Sequence, residues 1–302
     1  LNFTQSKKGE SDKPSTRLVV MDWSGTIVDH GCLAPTAVFQ EIFHQKGVEI
    51  SRDIANGPMG MYKRDHIRAI LAENPSVAAD WKAANGHAWT EADVDELFVA
   101  YTPMQVAVLD QYDDIIPGAI ETIEALRGRS IKIGGSTGFP RPALNRYAEI
   151  ARAKGLELDQ AFCPDDVPQG RPAPWMIYEN MKATGVFPAS LVVKVGDTVA
   201  DIQEGTSAGV WTVGVVASSV LVGLPKTEFD DLPGLDRDTR LAAARNALRL
   251  AGAHYTINTI ADLPNIITEI DARLARGEEP ACCKNRNDYL LLTPAPSRPR
   301  RR

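Results

Sequence analysis

The chain reads as an α/β protein, a doubly wound, mostly parallel Rossmann-like core sheet with a helical cap domain inserted after its first strand. Three observations predict it. Short β-branched runs alternate with longer amphipathic stretches from Arg17 onward, the pattern of parallel strands joined by crossover helices. The first three of these runs end in clusters of Asp, Gly, Ser or Thr, and open parallel sheets bind ligands beyond the carboxyl ends of their strands. The alternation breaks between about Cys32 and Asp113, where helical periodicity takes over.

Taken in order, Leu18 to Met21 is the first candidate strand. Val38, Phe39, Ile42 and Phe43 then share one helix face, and Met59 to Leu71 and Glu91 to Leu109 continue the helical pattern. Pro117-Gly118 punctuates the return to alternation. Further strands are expected at Ile131 to Gly135, Leu191 to Val195 and Trp211 to Val216, with a weaker one at Tyr255 to Ile257. Beyond Arg276 the sequence turns to Gly, Glu, Pro, Asn and Arg, the composition of a disordered tail. The expected organisation is a flexible N-terminus over 1–15, a core from 16–31 and 114–275, an inserted cap over 32–113 and a disordered tail over 276–302.

At 302 residues and 44% hydrophobic, the chain can bury a core of this size without staples. A net charge of -6 gives no ground for a nucleic-acid partner, and the terminal Arg298-Pro299-Arg300-Arg301-Arg302 reads as a solvated run. Cys32, Cys163, Cys282 and Cys283 match neither a paired zinc spacing nor a disulfide framework, which favours a reducing, cytoplasmic setting. No run of about 18 apolar residues offers a membrane span, and Leu1 to Ser15 is polar rather than signal-like. The first residue is leucine, so a missing start residue or leader stays open, and the localisation is provisional.

The chemistry begins at Asp22-Trp23-Ser24-Gly25-Thr26, where a carboxylate follows the first strand and a glycine lets the backbone turn beside it. Alone, an Asp before a turn is usually structural. Here Ser136-Thr137-Gly138 brings hydroxyls to the same sheet edge, and Gly196-Asp197-Thr198 with Asp201 one helical turn later brings two more carboxylates. Gly170-Arg171-Pro172 adds a cation at what reads as a proline-fixed helix start. Carboxylates suit a hard cation such as magnesium, while a guanidinium and hydroxyls can hold the oxygens of a phosphoryl group.

This order and spacing resembles the four motifs of the haloacid dehalogenase superfamily over roughly residues 17 to 217. Phosphatases of that superfamily carry a second Asp two residues after the nucleophile, as general acid for an oxygen leaving group. Ser24 stands there instead, so the enzyme must handle another leaving group or be inactive.

The segment Pro58-Met59-Gly60-Met61-Tyr62-Lys63-Arg64-Asp65-His66 would, by itself, read as a helix with a surface lysine and a capping or core histidine. Together with Gly31-Cys32, Pro164-Asp165-Asp166-Val167-Pro168, Pro174-Trp175 and Lys194-Val195-Gly196-Asp197-Thr198, it resembles the phosphonoacetaldehyde hydrolase (phosphonatase) family over most of residues 17 to 270. That resemblance implies cleavage of a carbon–phosphorus bond, with Asp22 as nucleophile and Lys63 as a Schiff-base lysine. An iminium would accept the electrons left on carbon better than the aldehyde itself. The resemblance further implies proton transfer by His66, and Mg2+ held by Asp22, the Ser24 carbonyl and Asp197, with Asp201 in support. It places substrate at Ser24, Gly60, Thr137, Gly138 and Arg171, and implies a homodimer formed through the cap. The family commonly has alanine at the position of Ser24 and tyrosine at that of Phe139.

Overall fold

A computed structural model describes residues 14–280. The Arg298 to Arg302 run, Cys282, Cys283 and nearly all of both expected terminal segments lie outside the described residues.

β1 (Leu18–Met21) leads through a tight loop into five consecutive helices, α1 (Leu33–His44), α2 (Arg52–Asn56), α3 (Lys63–Glu73), α4 (Pro75–Asn85) and α5 (Glu91–Val108). The chain then alternates: α6 (Ala119–Gly128), β2 (Lys132–Ser136), α7 (Arg141–Ala153), β3 (Gln160–Phe162), α8 (Trp175–Thr184), β4 (Val192–Gly196), α9 (Val199–Ala208) and β5 (Trp211–Val215). It closes with α10 (Lys226–Asp231), α11 (Gly234–Leu250), β6 (Tyr255–Ile257) and α12 (Leu263–Leu274). The six strands form one sheet in the order β3-β2-β1-β4-β5-β6, with every neighbouring pair parallel. The chain therefore winds outward in both directions from β1, and the strand order reverses there.

Period-two alternation assigns the two faces of the sheet. Val19 and Met21 of β1 join the cluster that contains Ile123 and Leu126 of α6, Leu144 and Tyr147 of α7 and Ile267 and Ile270 of α12. Leu18 and Val20 join Ile177 of α8 and Ala208 of α9 on the other face. Helices on both faces explain why β1 is continuously apolar. Each fully buried valine or leucine in these clusters stabilises the fold by about 1.5–3 kcal/mol.

The helices between β1 and β2 bury a separate cluster. Val38, Phe39, Ile42 and Phe43 of α1 meet Ile67, Ile70 and Leu71 of α3, Trp81 of α4 and Leu97 and Tyr101 of α5. A capping box between Thr90 and Asp93 starts α5, which runs uninterrupted through Pro103. Among the described residues no helix is long and apolar enough to cross a membrane.

Three expectations shift. β3 has no counterpart in the sequence reading, since its three residues are only half buried and none is β-branched. β2 and β4 each sit one residue later than expected. The helix expected from Met59 to Leu71 begins only at Lys63, because Gly57 to Gly60 form turns and Met61 a bend.

Candidate active site

Strand register brings the site together. Met21 lies opposite Gly135 on one side and Val195 on the other, so Asp22, Ser136 and Gly196 leave the sheet side by side. The Asp22 N–H donates to the Val195 carbonyl at 2.9 Å, extending the ladder to the carboxylate itself. Asp197 follows β4, and Asp201 occupies the third position of α9, where it closes a capping box with Thr198. Carboxylate oxygens of Asp22, Asp197 and Asp201 lie within 4.8 Å of one another, and all three residues are buried.

Three like charges in a desolvated space need positive charge beside them. Arg171 supplies some. Its Nη2 donates to Asp22 Oδ1 at 2.9 Å, its Nη1 lies 2.9 Å from Asp201 Oδ1, and its Nε donates to Glu204 Oε2 at 3.0 Å. Lys194, projecting from the middle of β4, reaches Asp201 Oδ1 at 2.8 Å and donates to Ser136 Oγ at 3.0 Å. Burial works against the ionised form of Asp201, but Arg171 and Lys194 overcome it and hold the carboxyl below its usual range. Asp22 is raised, chiefly by burial with Arg171 opposing. Asp197 is pushed well above the carboxylate range by burial and then by its two acidic neighbours.

Asp197 makes no ion pair among the described residues; its carboxylate accepts from Thr26 Oγ1 at 3.1 Å and from the Val220 N–H at 2.9 Å. An all-oxygen, anionic and under-compensated donor set is what a hard divalent cation requires. The residues present therefore fit a hard divalent cation: Asp197 has no cationic partner among the described residues, Asp22 engages Arg171 through Oδ1 alone, and Asp201 is committed to Arg171 and Lys194. Bound there, the cation would neutralise charge on phosphoryl oxygens.

The helical segment closes over this edge. Asp22, Ser24, Gly60, Lys63, Thr137, Gly138 and Arg171 line one narrow cleft, together with Cys32, Met59, Phe139 and Thr198. The two sides approach closely at two glycines. Gly60 has φ +92°, and a Cβ there would fall 2.3 Å from Thr198 Oγ1. A Cβ on Gly138 would fall 2.4 Å from the Met61 carbonyl oxygen, so neither position tolerates a side chain without separating the two halves. A larger groove at Arg17, Lys132 and Phe187 lies elsewhere and is lined by no carboxylate.

Lys63, the first residue of α3, is 3% exposed. Its Nζ lies 3.6 Å from Met59 Sδ and over the rings of Phe39 and Phe139, 5.5 and 5.0 Å from their centroids. No carboxylate among the described residues forms an ion pair with it, and burial lowers its pKa from 10.5 to about 8. Cys32, Asp22 and Asp197 pull the other way, and Arg171 adds to the lowering.

His66 lies one turn along α3, fully buried, with its ring stacked against Phe39 at 3.8 Å between centroids. Its Nε2 meets the Ala55 carbonyl at 2.9 Å, which assigns the proton to Nε2 and leaves Nδ1, otherwise unpartnered, as an acceptor. Burial, then Lys63, keeps it well below its usual pKa and hence neutral.

Thr137 accepts from the Phe139 N–H at 3.2 Å and faces the cleft. The Ser24 hydroxyl donates to Asp29 Oδ2 at 3.0 Å and, among the described residues, to none of Asp22, Asp197 and Asp201. Arg171 does not start a helix as expected: α8 begins four residues later, at Trp175. Sequence reasoning quoted Lys194 within the Lys194 to Thr198 motif but gave it no role, and missed Glu204. The signal for the first was visible, since a lysine inside the otherwise apolar Val192–Gly196 strand must find buried counter-charge.

A family model for haloacid dehalogenase-like hydrolases matches residues 16–209. The phosphonoacetaldehyde hydrolase of Bacillus cereus (strain B4264) is 42% identical over 253 residues, covering 84% of this chain and 96% of that protein. The phosphonoacetaldehyde hydrolase of Paraburkholderia phytofirmans is 42% identical over 264 residues, 87% and 98% of the two chains. The crystal structure of a phosphonoacetaldehyde hydrolase-like protein from Oleispira antarctica superposes with a TM-score of 0.87 at 35% identity, over 91% of this chain and all of that one.

Proposed function

The chain belongs to the phosphonoacetaldehyde hydrolase family of haloacid dehalogenase-like hydrolases, and from that premise we propose that it hydrolyses phosphonoacetaldehyde to acetaldehyde and phosphate through an imine on Lys63 and a phosphorylated Asp22. The observation that carries this reading is the pairing of a buried carboxylate, Asp22, with a buried lysine that has no ion-pair partner among the described residues, across one small cleft.

Neutral Lys63 attacks the aldehyde carbon; a proton moves from nitrogen to the carbinol oxygen, and water leaves to give the imine. His66, one helical turn from Lys63 with a buried Nδ1 unpartnered among the described residues, would hold this proton only in passing, since burial and Lys63 disfavour its charged form. Once protonated, the imine withdraws electrons from the neighbouring carbon. Asp22 attacks phosphorus, the C–P bond breaks, and its electron pair ends in an enamine on Lys63. Water then releases phosphate from Asp22 and acetaldehyde from Lys63. Asp22, Asp197 and the Ser24 carbonyl would hold Mg2+, which when bound would stabilise charge on the phosphoryl oxygens. Thr137 and Arg171 orient those oxygens, and Gly60 and Gly138 supply close backbone approach on the remaining sides of the cleft. Asp201 acts through Arg171 and Lys194.

In this reading residues 32–113 are a cap that brings Lys63 to the core, hinged near Asp29 to Leu33 and Asp113 to Pro117. The same reading carries a homodimer assembled through the cap, a role in 2-aminoethylphosphonate breakdown and a cytoplasmic setting. Borohydride tests the central step. Reduction in the presence of phosphonoacetaldehyde should leave a stable mass adduct on the peptide containing Lys63 and abolish turnover, and Lys63→Arg should give neither adduct nor activity. Full activity with no adduct on Lys63 would overturn the covalent mechanism.

A further inference from the structure

The loop that follows β5, Ala217-Ser218-Ser219-Val220, plays no part in the chemistry above, yet it touches both halves of the site. Its hydroxyls bind the core. Ser218 Oγ donates to the Gly25 carbonyl and Ser219 Oγ to the Asp197 carbonyl, each at 2.7 Å. The Ser218 carbonyl accepts from the Gly31 N–H at 2.9 Å, at the start of the helical insertion. Val220 faces both ways. Its N–H donates to Asp197 Oδ2 at 2.9 Å, while its side chain, 4% exposed, belongs to the hydrophobic cluster of α1, α3, α4 and α5. Among the described residues it is the single buried member of that cluster that comes from beyond α5.

We infer that Val220 is a positioning residue which ties the carboxylate of Asp197 to the seating of the helical insertion, so that cation binding and closure over Lys63 favour one another. The inference rests on the reading of Asp197 as a Mg2+ ligand. Close-packed clusters have little slack, so displacing the insertion displaces the Val220 side chain and with it the N–H that orients Asp197. Ile67 and Ile70 of the same cluster stand on α3, the helix that Lys63 begins. Any coupling through this loop is reciprocal: a cation that fixes Asp197 also stabilises the insertion in place.

Calorimetric titration of Mg2+ into the full chain, without substrate, tests this directly. Val220→Ala retains the N–H but removes the anchor, and should weaken Mg2+ binding about fivefold. Val77→Ala deletes the same two methyl groups from the same cluster, remote in sequence from the loop, and should leave the affinity within about twofold of the original. Val220→Thr, close in shape, replaces the alanine variant if thermal melts show the latter unfolded. Equal weakening in both positions, or none at Val220, overturns the inference while the metal site stands. Mg2+ binding that Asp197→Asn leaves intact would instead sink the metal role of Asp197, and the inference with it.

Discussion

Arg171 and Lys63 are two buried cations facing one cleft, and their surroundings drive them in opposite directions. Arg171 is enclosed by Asp22, Asp201 and Glu204, and these carboxylates outweigh burial and hold its pKa above the ordinary arginine value. Lys63 is enclosed by Phe39, Phe139 and Met59, and burial drives it down to about 8. The lesson is a division of labour. A cation wedged among carboxylates is a fixed electrostatic element, and removing one partner from such a buried group costs about 3–5 kcal/mol. A cation in an apolar wall is one proton away from being a nucleophile.

The largest expected effect breaks the comparison on the carboxylate side. Asp22→Asn should lower phosphate release by at least about a thousandfold, because the amide cannot attack phosphorus. The Lys63 wall is untouched by this change, so borohydride should still trap substrate on Lys63 in the variant. Phosphate release at more than a tenth of the original rate would show that another group attacks.

Next comes the stability cost of the unpaired lysine. Its folded pKa is depressed from 10.5 to about 8, so between those values the unfolded chain binds more protons and stability rises with pH. The penalty is complete below pH 8, on the order of 3 kcal/mol, and gone above pH 10.5. Lys63→Met, lacking any charge, should therefore unfold at higher urea than the original at pH 7 while losing all activity, and the advantage should shrink by pH 10. An advantage independent of pH would mean that packing, and not the buried charge, is responsible.

The same titration should govern turnover. In the proposed mechanism only neutral Lys63 attacks the aldehyde, so kcat/KM should fall about tenfold per pH unit below pH 8. Met59→Glu would place a carboxylate where Met59 Sδ now lies 3.6 Å from the amine, making the lysine resemble Arg171. The acid limb should move up by about one pH unit, with a roughly tenfold loss at pH 7 that is recovered near pH 9. An unmoved limb would show that another group sets it.

These two environments were unequally legible in the sequence. Asp22, Thr137, Asp197 and Asp201 could be found because parallel strands end in register, and polar clusters after apolar runs mark that edge. Lys63 was found by family likeness alone: its apolar wall joins Phe39 from α1 and Phe139 from the β2–α7 loop, and no local pattern announces that meeting. Glu204 was missed because its partner Arg171 is 33 residues away, and on α9 it reads as an ordinary helical glutamate. Val220 was hidden for a similar reason, since valine in an apolar loop signals burial but not which cluster it enters.

Ser24→Ala should have the smallest effect, and it tests the mirror image of Lys63, a buried carboxylate with no cation. Asp29 forms no ion pair among the described residues; its oxygens accept from the N–H groups of Leu33 and Ala34 at 2.9 and 3.1 Å and from Ser24 Oγ at 3.0 Å. Burial raises its pKa to about 7 in spite of these donors. Because the folded value exceeds the unfolded one, the folded chain binds more protons between about 4 and 7, and stability falls as pH rises through that window. The Ser24 donor offsets part of that fall by favouring the ionised form. Losing it should cost about 1 kcal/mol at pH 8 and less at pH 5, read from urea midpoints. Turnover should change by less than about threefold, since this hydroxyl points at Asp29 and the proposed cation ligand at Ser24 is the carbonyl, which alanine also has. A loss of thirtyfold or more would place the hydroxyl in the chemistry, and the missing general acid would then have a substitute beside Asp22 itself.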